Sequence, residues 1–116
     1  MKSSKNPDLL KARDEAKVAL RRLAGPGERS AETVAASLRD RGITGLRRLG
    51  WTCPLARYLR QSLTRSLSVD YIMVNEKSVV LAKSAAADED VRLLLPVWAR
   101  EFIAAFDEGA FPDLVG

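Results

Sequence analysis

At 116 residues the chain has the length of one domain, and its 47% hydrophobic content is that of a folded protein rather than a disordered one. It holds no histidine and a single cysteine, Cys53, which excludes an internal disulfide framework and a zinc site of the usual Cys/His kind within one chain, and removes the commonest general base. Its 19 Lys and Arg against 15 Asp and Glu give a net charge of +4 that is unevenly spread: residues 1–65 hold 15 basic and 6 acidic side chains, residues 66–116 hold 4 and 9.

Residues 1–6 read as a flexible tail and residues 7–116 as a single α+β domain. The basic start has no apolar segment behind it, so no secretory signal is expected. No apolar run nears the roughly 18 residues that span a bilayer, and the expected location is the cytoplasm. Asn6 is placed to cap a helix that begins at Pro7, with Leu9, Ala12, Ala16, Ala19, Leu20 and Leu23 at helical spacing until Gly25-Pro26-Gly27 stops it. This is helix one, 7–24. Ser30 caps helix two, 30–41, whose stripe is Val34, Ala35 and Leu38, with Gly42 as a left-handed terminator and Ile43 as its following hydrophobic contact. Residues 43–52 fit one short helical turn or an irregular loop, with Trp51 as the expected anchor into the core.

Thr52 or Cys53 can cap helix three, and Pro54 lies in its first turn. Leu55, Ala56, Leu59, Leu63 and Leu67 fall on one side, Arg57, Arg60, Gln61 and Thr64 on the other, with Tyr58 and Arg65 at the margin, and the helix is expected to end near Ser66. The period then changes to two. Residues 68–74 and 79–82 read as a β-hairpin around Asn75-Glu76-Lys77-Ser78, apolar on more than one face and so packed on helices rather than projecting. Residues 84–90 form a small acidic loop, and Val91 to Leu95 are placed to add a short third strand. Pro96 opens the last helix, with Trp98, Phe102, Ile103, Ala105 and Phe106 as its stripe and Gly109 as its end; Phe111, Leu114 and Val115 fold back after Pro112.

The Arg57/Arg60/Gln61/Thr64/Arg65 face is the leading candidate for function, with Arg39, Arg41, Arg47 and Arg48 extending it across the preceding connection. Arg and Gln read G and A edges in a major groove and Thr meets phosphate, so duplex DNA is one partner this face would suit. The alternative is a solvated helix face that is merely Arg-rich, and the charge asymmetry has a matching pair of readings, a polyanion partner or mutual attraction of the two halves. Cys53, at a helix N-terminus with Arg57 one turn on, is either a thiol of lowered pKa or a small buried packing residue. Asp88-Glu89-Asp90 lacks the ligand spacing of a calcium loop, so no metal and no cofactor are expected. Asp107-Glu108 closes a helix at the end where negative charge is unfavourable, which calls for a basic neighbour. The Trp98/Phe102/Phe106 stripe reads as core.

The order helix, helix, helix, hairpin, helix resembles that of winged-helix DNA-binding domains over residues 7–107. The resemblance implies that helix three is the reader, the hairpin the wing, and the last helix a dimer element. The chain departs from that pattern in its long link from Gly42 to Thr52, and Ala35 is followed four positions on by Arg39 rather than glycine. The stretch Cys53-Pro54-Leu55-Ala56-Arg57-Tyr58-Leu59-Arg60, with the tail Phe106 to Leu114, is also similar to small actinobacterial proteins without a known activity. The residues therefore point to a small non-catalytic binding or regulatory domain with a protein partner or self-association. The alternative is a winged-helix-like DNA-binding regulator using helix three.

Overall fold

The computed structural model describes residues 2, 3 and 6–116, the first two through their backbone. Four helices and a small sheet share one core, an α+β arrangement. The elements are β1 (Lys2–Ser3), α1 (Pro7–Ala24), α2 (Ala31–Asp40), α3 (Pro54–Ser62), β2 (Tyr71–Val74), β3 (Ser78–Ala82), β4 (Glu89–Leu94) and α4 (Val97–Asp107). Helices α1 and α3 pack on the sheet, and α2 packs on α1 and α4. Short 3₁₀ turns follow α3 at Arg65–Leu67 and α4 at Pro112–Leu114.

Local chemistry sets the helix boundaries. The Asn6 side chain accepts from the N–H groups of Asp8 (2.9 Å) and Leu9, and Gly25 ends α1 at a φ of 73°. Ser30 and Thr33 exchange side-chain and backbone bonds (3.2 and 2.9 Å) to open α2, a capping box closed by Thr rather than Glu. Gly42, at φ 68°, and Ile43, whose N–H donates to the Leu38 carbonyl (3.0 Å), close α2 as expected.

The sheet order is β1-β4-β3-β2, with β2, β3 and β4 antiparallel. The third strand is longer than expected, beginning at Glu89 rather than Val91, and Asp90 is buried in it rather than solvated in a loop. Part of the segment read as a tail, Lys2–Ser3, pairs in parallel with Glu89 and Asp90; residues 1, 4 and 5 lie outside the described residues. Ile72, Val74, Val79, Leu81, Val91 and Leu93 face the helices and join their apolar stripes in one core. β3 is buried along its whole length with β2 beside it at the sheet edge, so the hairpin is packed into the fold and is not a projecting arm. Phe102 and Phe106 sit in the core, and Phe111 returns to stack on Phe102 with ring centroids 5.5 Å apart.

Two local expectations are corrected. Trp51 is 50% exposed and does not anchor the 43–52 connection. The anchor is backbone: the Val74 N–H donates to the Gly50 carbonyl (2.8 Å), and Gly50 lies so close to β2 that a Cβ there would be 2.4 Å from the Met73 sulfur and the Val74 carbonyl. Helix three stops at Ser62, not near Ser66, and Leu63 turns extended, while Leu63 and Leu67 keep their buried positions through the 3₁₀ turn.

Candidate functional site

Helix α3 begins at Cys53, whose sulfur accepts from the Ala56 N–H (3.4 Å) and whose thiol lies 3.9 Å from the Gly50 carbonyl. Burial pushes the Cys53 thiol above its ordinary pKa, outweighing the backbone N–H groups of Ala56 and Leu55 that act the other way. The geometry is that of a buried cap, the opposite electrostatic setting from an activated thiolate. On the core side Tyr58, expected at the margin, is buried and donates its hydroxyl to the Ala19 carbonyl, with the Arg41 guanidinium over its ring at 5.3 Å.

Arg57, Arg60, Gln61, Thr64 and Arg65 line one open groove of about 780 Å³, together with Leu63, Ser68, Val69 and Asp70. The five residues of the expected helix-three face are therefore together. They are not equally available. The Arg57 guanidinium donates to the carbonyls of Thr44 (3.1 Å) and Gly116 (3.0 Å), so this half-buried side chain ties the C-terminal segment to the 43–46 connection. Thr64 donates its N–H and hydroxyl to the two oxygens of Glu15 (2.9 and 2.7 Å). Arg60 makes one bond, to the Trp51 carbonyl (3.1 Å), and remains exposed. Gln61 and Arg65 are exposed. Among the described residues the ion pairs between side chains are Arg39–Asp113 and Lys83–Asp8, so no Asp or Glu side chain neutralises Arg60 or Arg65 at that range.

Arg47 and Arg48 do not extend this groove. Arg48 lines a different one, with Cys53, Met73 and Asp107, and its backbone N–H donates to the Asp107 carboxylate (2.8 Å). The Arg47 guanidinium lies over Gly109, 2.8 Å from where a Cβ would stand. The acidic end of α4 thus meets a backbone donor from Arg48, and the Arg47 guanidinium stands beside Gly109, which follows it. Among the described residues two ion pairs join the halves, Arg39 of α2 with Asp113 in a fork and Asp8 of α1 with Lys83. Leu46, Leu49 and Trp51 of the connection are exposed apolar residues.

The Glu15–Thr64 contact sets where α3 ends, and it titrates. Burial raises the Glu15 pKa, but the Thr64 N–H, the Thr64 hydroxyl and Lys11 together lower it further, leaving it below the ordinary glutamate value. The Arg39 hydrogen bond likewise holds Asp113 below the ordinary aspartate value. A depressed carboxylate contributes stability that is present above its unfolded-state pKa and lost as pH falls through the folded one. Thermal melts are expected to show stability declining from about pH 4.5, the ordinary value for Glu15, downward, and Glu15→Gln is expected to flatten that decline. Equal acid slopes for wild type and variant would show that Glu15 does not hold the turn.

Among the described residues no group of three His, Cys, Asp or Glu side chains could hold a metal ion, and no helix is long and apolar enough to cross a membrane. No family model, curated protein or solved structure matches the chain.

Proposed function

We propose that this chain is a non-catalytic binding domain of the cytoplasm whose partner is a protein, and that an acidic segment of that partner lies in the groove beside α3. The observation that carries the reading is the concentration of Arg60, Gln61 and Arg65 in one open groove with no carboxylate in ion-pair contact, beside the apolar side chains Leu63 and Val69. Guanidinium groups flanking apolar surface suit a peptide that offers both carboxylates and aliphatic side chains.

The same face suits a DNA reader less well. Recognition of a duplex neutralises a run of phosphates. Here Arg57 and Thr64 are engaged within the fold, Arg47 and Arg48 lie elsewhere, and Asp70 lines the groove. That leaves too few cations, and one opposing charge, for a phosphate track.

Fluorescence anisotropy with a labelled Asp/Leu-alternating peptide and a labelled duplex separates the two readings. The peptide is expected to bind the wild type, weakening with salt, and Arg60→Glu with Arg65→Glu to weaken it about tenfold or more. Duplex binding that exceeds peptide binding and falls steeply with salt would replace the proposal with the DNA reading. Failure of the wild type to bind either probe would sink both.

A further inference from the structure

We infer that a basic groove at the C-terminal end of α1 binds a small aromatic phosphate monoester. The groove holds about 230 Å³. Three cations line it, Lys17 and Arg21 from α1 and Arg29 from the loop that follows, and Leu20, Leu93 and Trp98 are among its apolar walls. Its place follows from the sheet register. Lys83 continues the β3–β4 ladder to the level of Glu89 and holds Asp8 in an ion pair (3.1 Å), so α1 begins at the end of β4 where β1 lies. Nine residues on, about 13 Å along the helix axis, Lys17 has reached the other end of the strand, beside Leu93 and Leu94. The groove shares no lining residue with the one beside α3.

Charge says what the groove would accept. Among the described residues no Asp or Glu lines it, and none of its three cations makes an ion pair or a side-chain hydrogen bond. Lys17 and Arg21 stand four apart on α1, so like charges face each other. A basic side chain in the last turn suits the helix dipole, which accounts for Arg21 but not for Lys17 beside it. The Arg29 guanidinium lies over Trp98, 5.9 Å from the ring centroid, and stacking of that kind leaves its in-plane N–H donors free for an oxyanion. Three cations without a counter-charge suit a dianion better than a single negative charge. The walls of Trp98, Leu20 and Leu93 suit a flat apolar body joined to it. Size sets the limit: ordinary ligand pockets hold roughly 300–1,000 Å³, so this smaller one takes a single ring with its phosphate rather than a whole nucleotide.

The test uses the full chain with Trp51→Phe, which leaves Trp98 as its single tryptophan. Phenyl phosphate in its dianionic form is titrated while Trp98 fluorescence and the melting temperature are followed. A saturable fluorescence change and a raised melting temperature are expected. Inorganic phosphate, phenol and benzoate are each expected to bind about tenfold or more weakly than phenyl phosphate. Arg21→Gln with Arg29→Gln is expected to weaken phenyl phosphate about tenfold or more, while Arg60→Glu with Arg65→Glu leaves it unchanged. A far-UV melt of the unliganded variants checks that they fold. The inference is overturned if Trp98 shows no saturable change or if the Arg21 and Arg29 substitutions have no effect. Phenol binding as tightly would leave an apolar cleft, inorganic phosphate binding as tightly would leave charge alone, and benzoate binding as tightly would give the groove to carboxylates; each overturns it. Binding lost only with Arg60 and Arg65 would place the ligand beside α3 and overturn it equally.

Discussion

Replacing Phe102 by alanine is expected to lower stability by about 3–5 kcal/mol, the range for truncating a fully buried aromatic. Phe102 has no exposed surface and stacks on two rings, Phe106 at 5.8 Å and Phe111 at 5.5 Å, with interplanar angles of 17° and 18°. The second contact reaches beyond α4 to the returning C-terminal segment. That segment places Leu114 in the core, Asp113 on Arg39, and Gly116 on Arg57. The cavity would therefore remove packing from the core and also loosen the strap that holds Arg57. Urea unfolding should show a lower midpoint with an unchanged slope. A loss under about 1 kcal/mol would mean that the aromatic stack collapses to refill the space and does not set the position of the C-terminal segment.

The second large effect is expected at Gly45. A Cβ there would stand 2.4 Å from the Pro54 nitrogen and 2.6 Å from the Cys53 carbonyl carbon, and both are backbone atoms that no rotamer change can move. The Gly45 N–H donates to the Leu114 carbonyl (2.8 Å), and its own carbonyl accepts from the Gly116 N–H (3.0 Å), so it cannot retreat without breaking the bridge to the C-terminal segment. Gly45→Ala is therefore expected to cost about 3 kcal/mol or more and to displace the start of α3, weakening the acidic peptide at the groove as well. Gly42→Ala is the control. Gly42 has nothing within 4 Å, and a left-handed φ of 68° carries only the backbone penalty of about 1–2 kcal/mol. Equal losses at the two positions would contradict the close approach at Gly45.

Much of this architecture was legible in the sequence because it is encoded locally. Asn6 before Pro7, Ser30 before a short apolar stripe, and Gly42 followed by Ile43 are caps whose partners lie within a few residues, and each operates as read. The α3 stripe of Leu55, Ala56, Leu59, Leu63 and Leu67 is buried throughout, and its opposite face does line a single groove. What was not legible depends on partners far along the chain. Helix three ends early because Glu15, on α1, takes both donors of Thr64. Arg57 looks like its neighbours in sequence, but two backbone carbonyls, from Thr44 and Gly116, occupy it, and no residue-type pattern announces a carbonyl. Trp51 reads as an anchor by its size, while the anchoring is done by the absence of a side chain at Gly50. Arg47 and Arg48 share composition with the α3 face, but they lie at the acidic end of α4, on another surface.

The most direct test maps amide shifts while unlabelled Asp/Leu-alternating peptide is added to isotopically labelled protein. If Arg60 and Arg65 are what the domain offers a partner, the amides of residues 60–70 move first and saturate together, and raising the salt reverses the change. Perturbations that leave this segment still and gather instead around Arg47 and Arg48, or shifts indifferent to ionic strength, would contradict it.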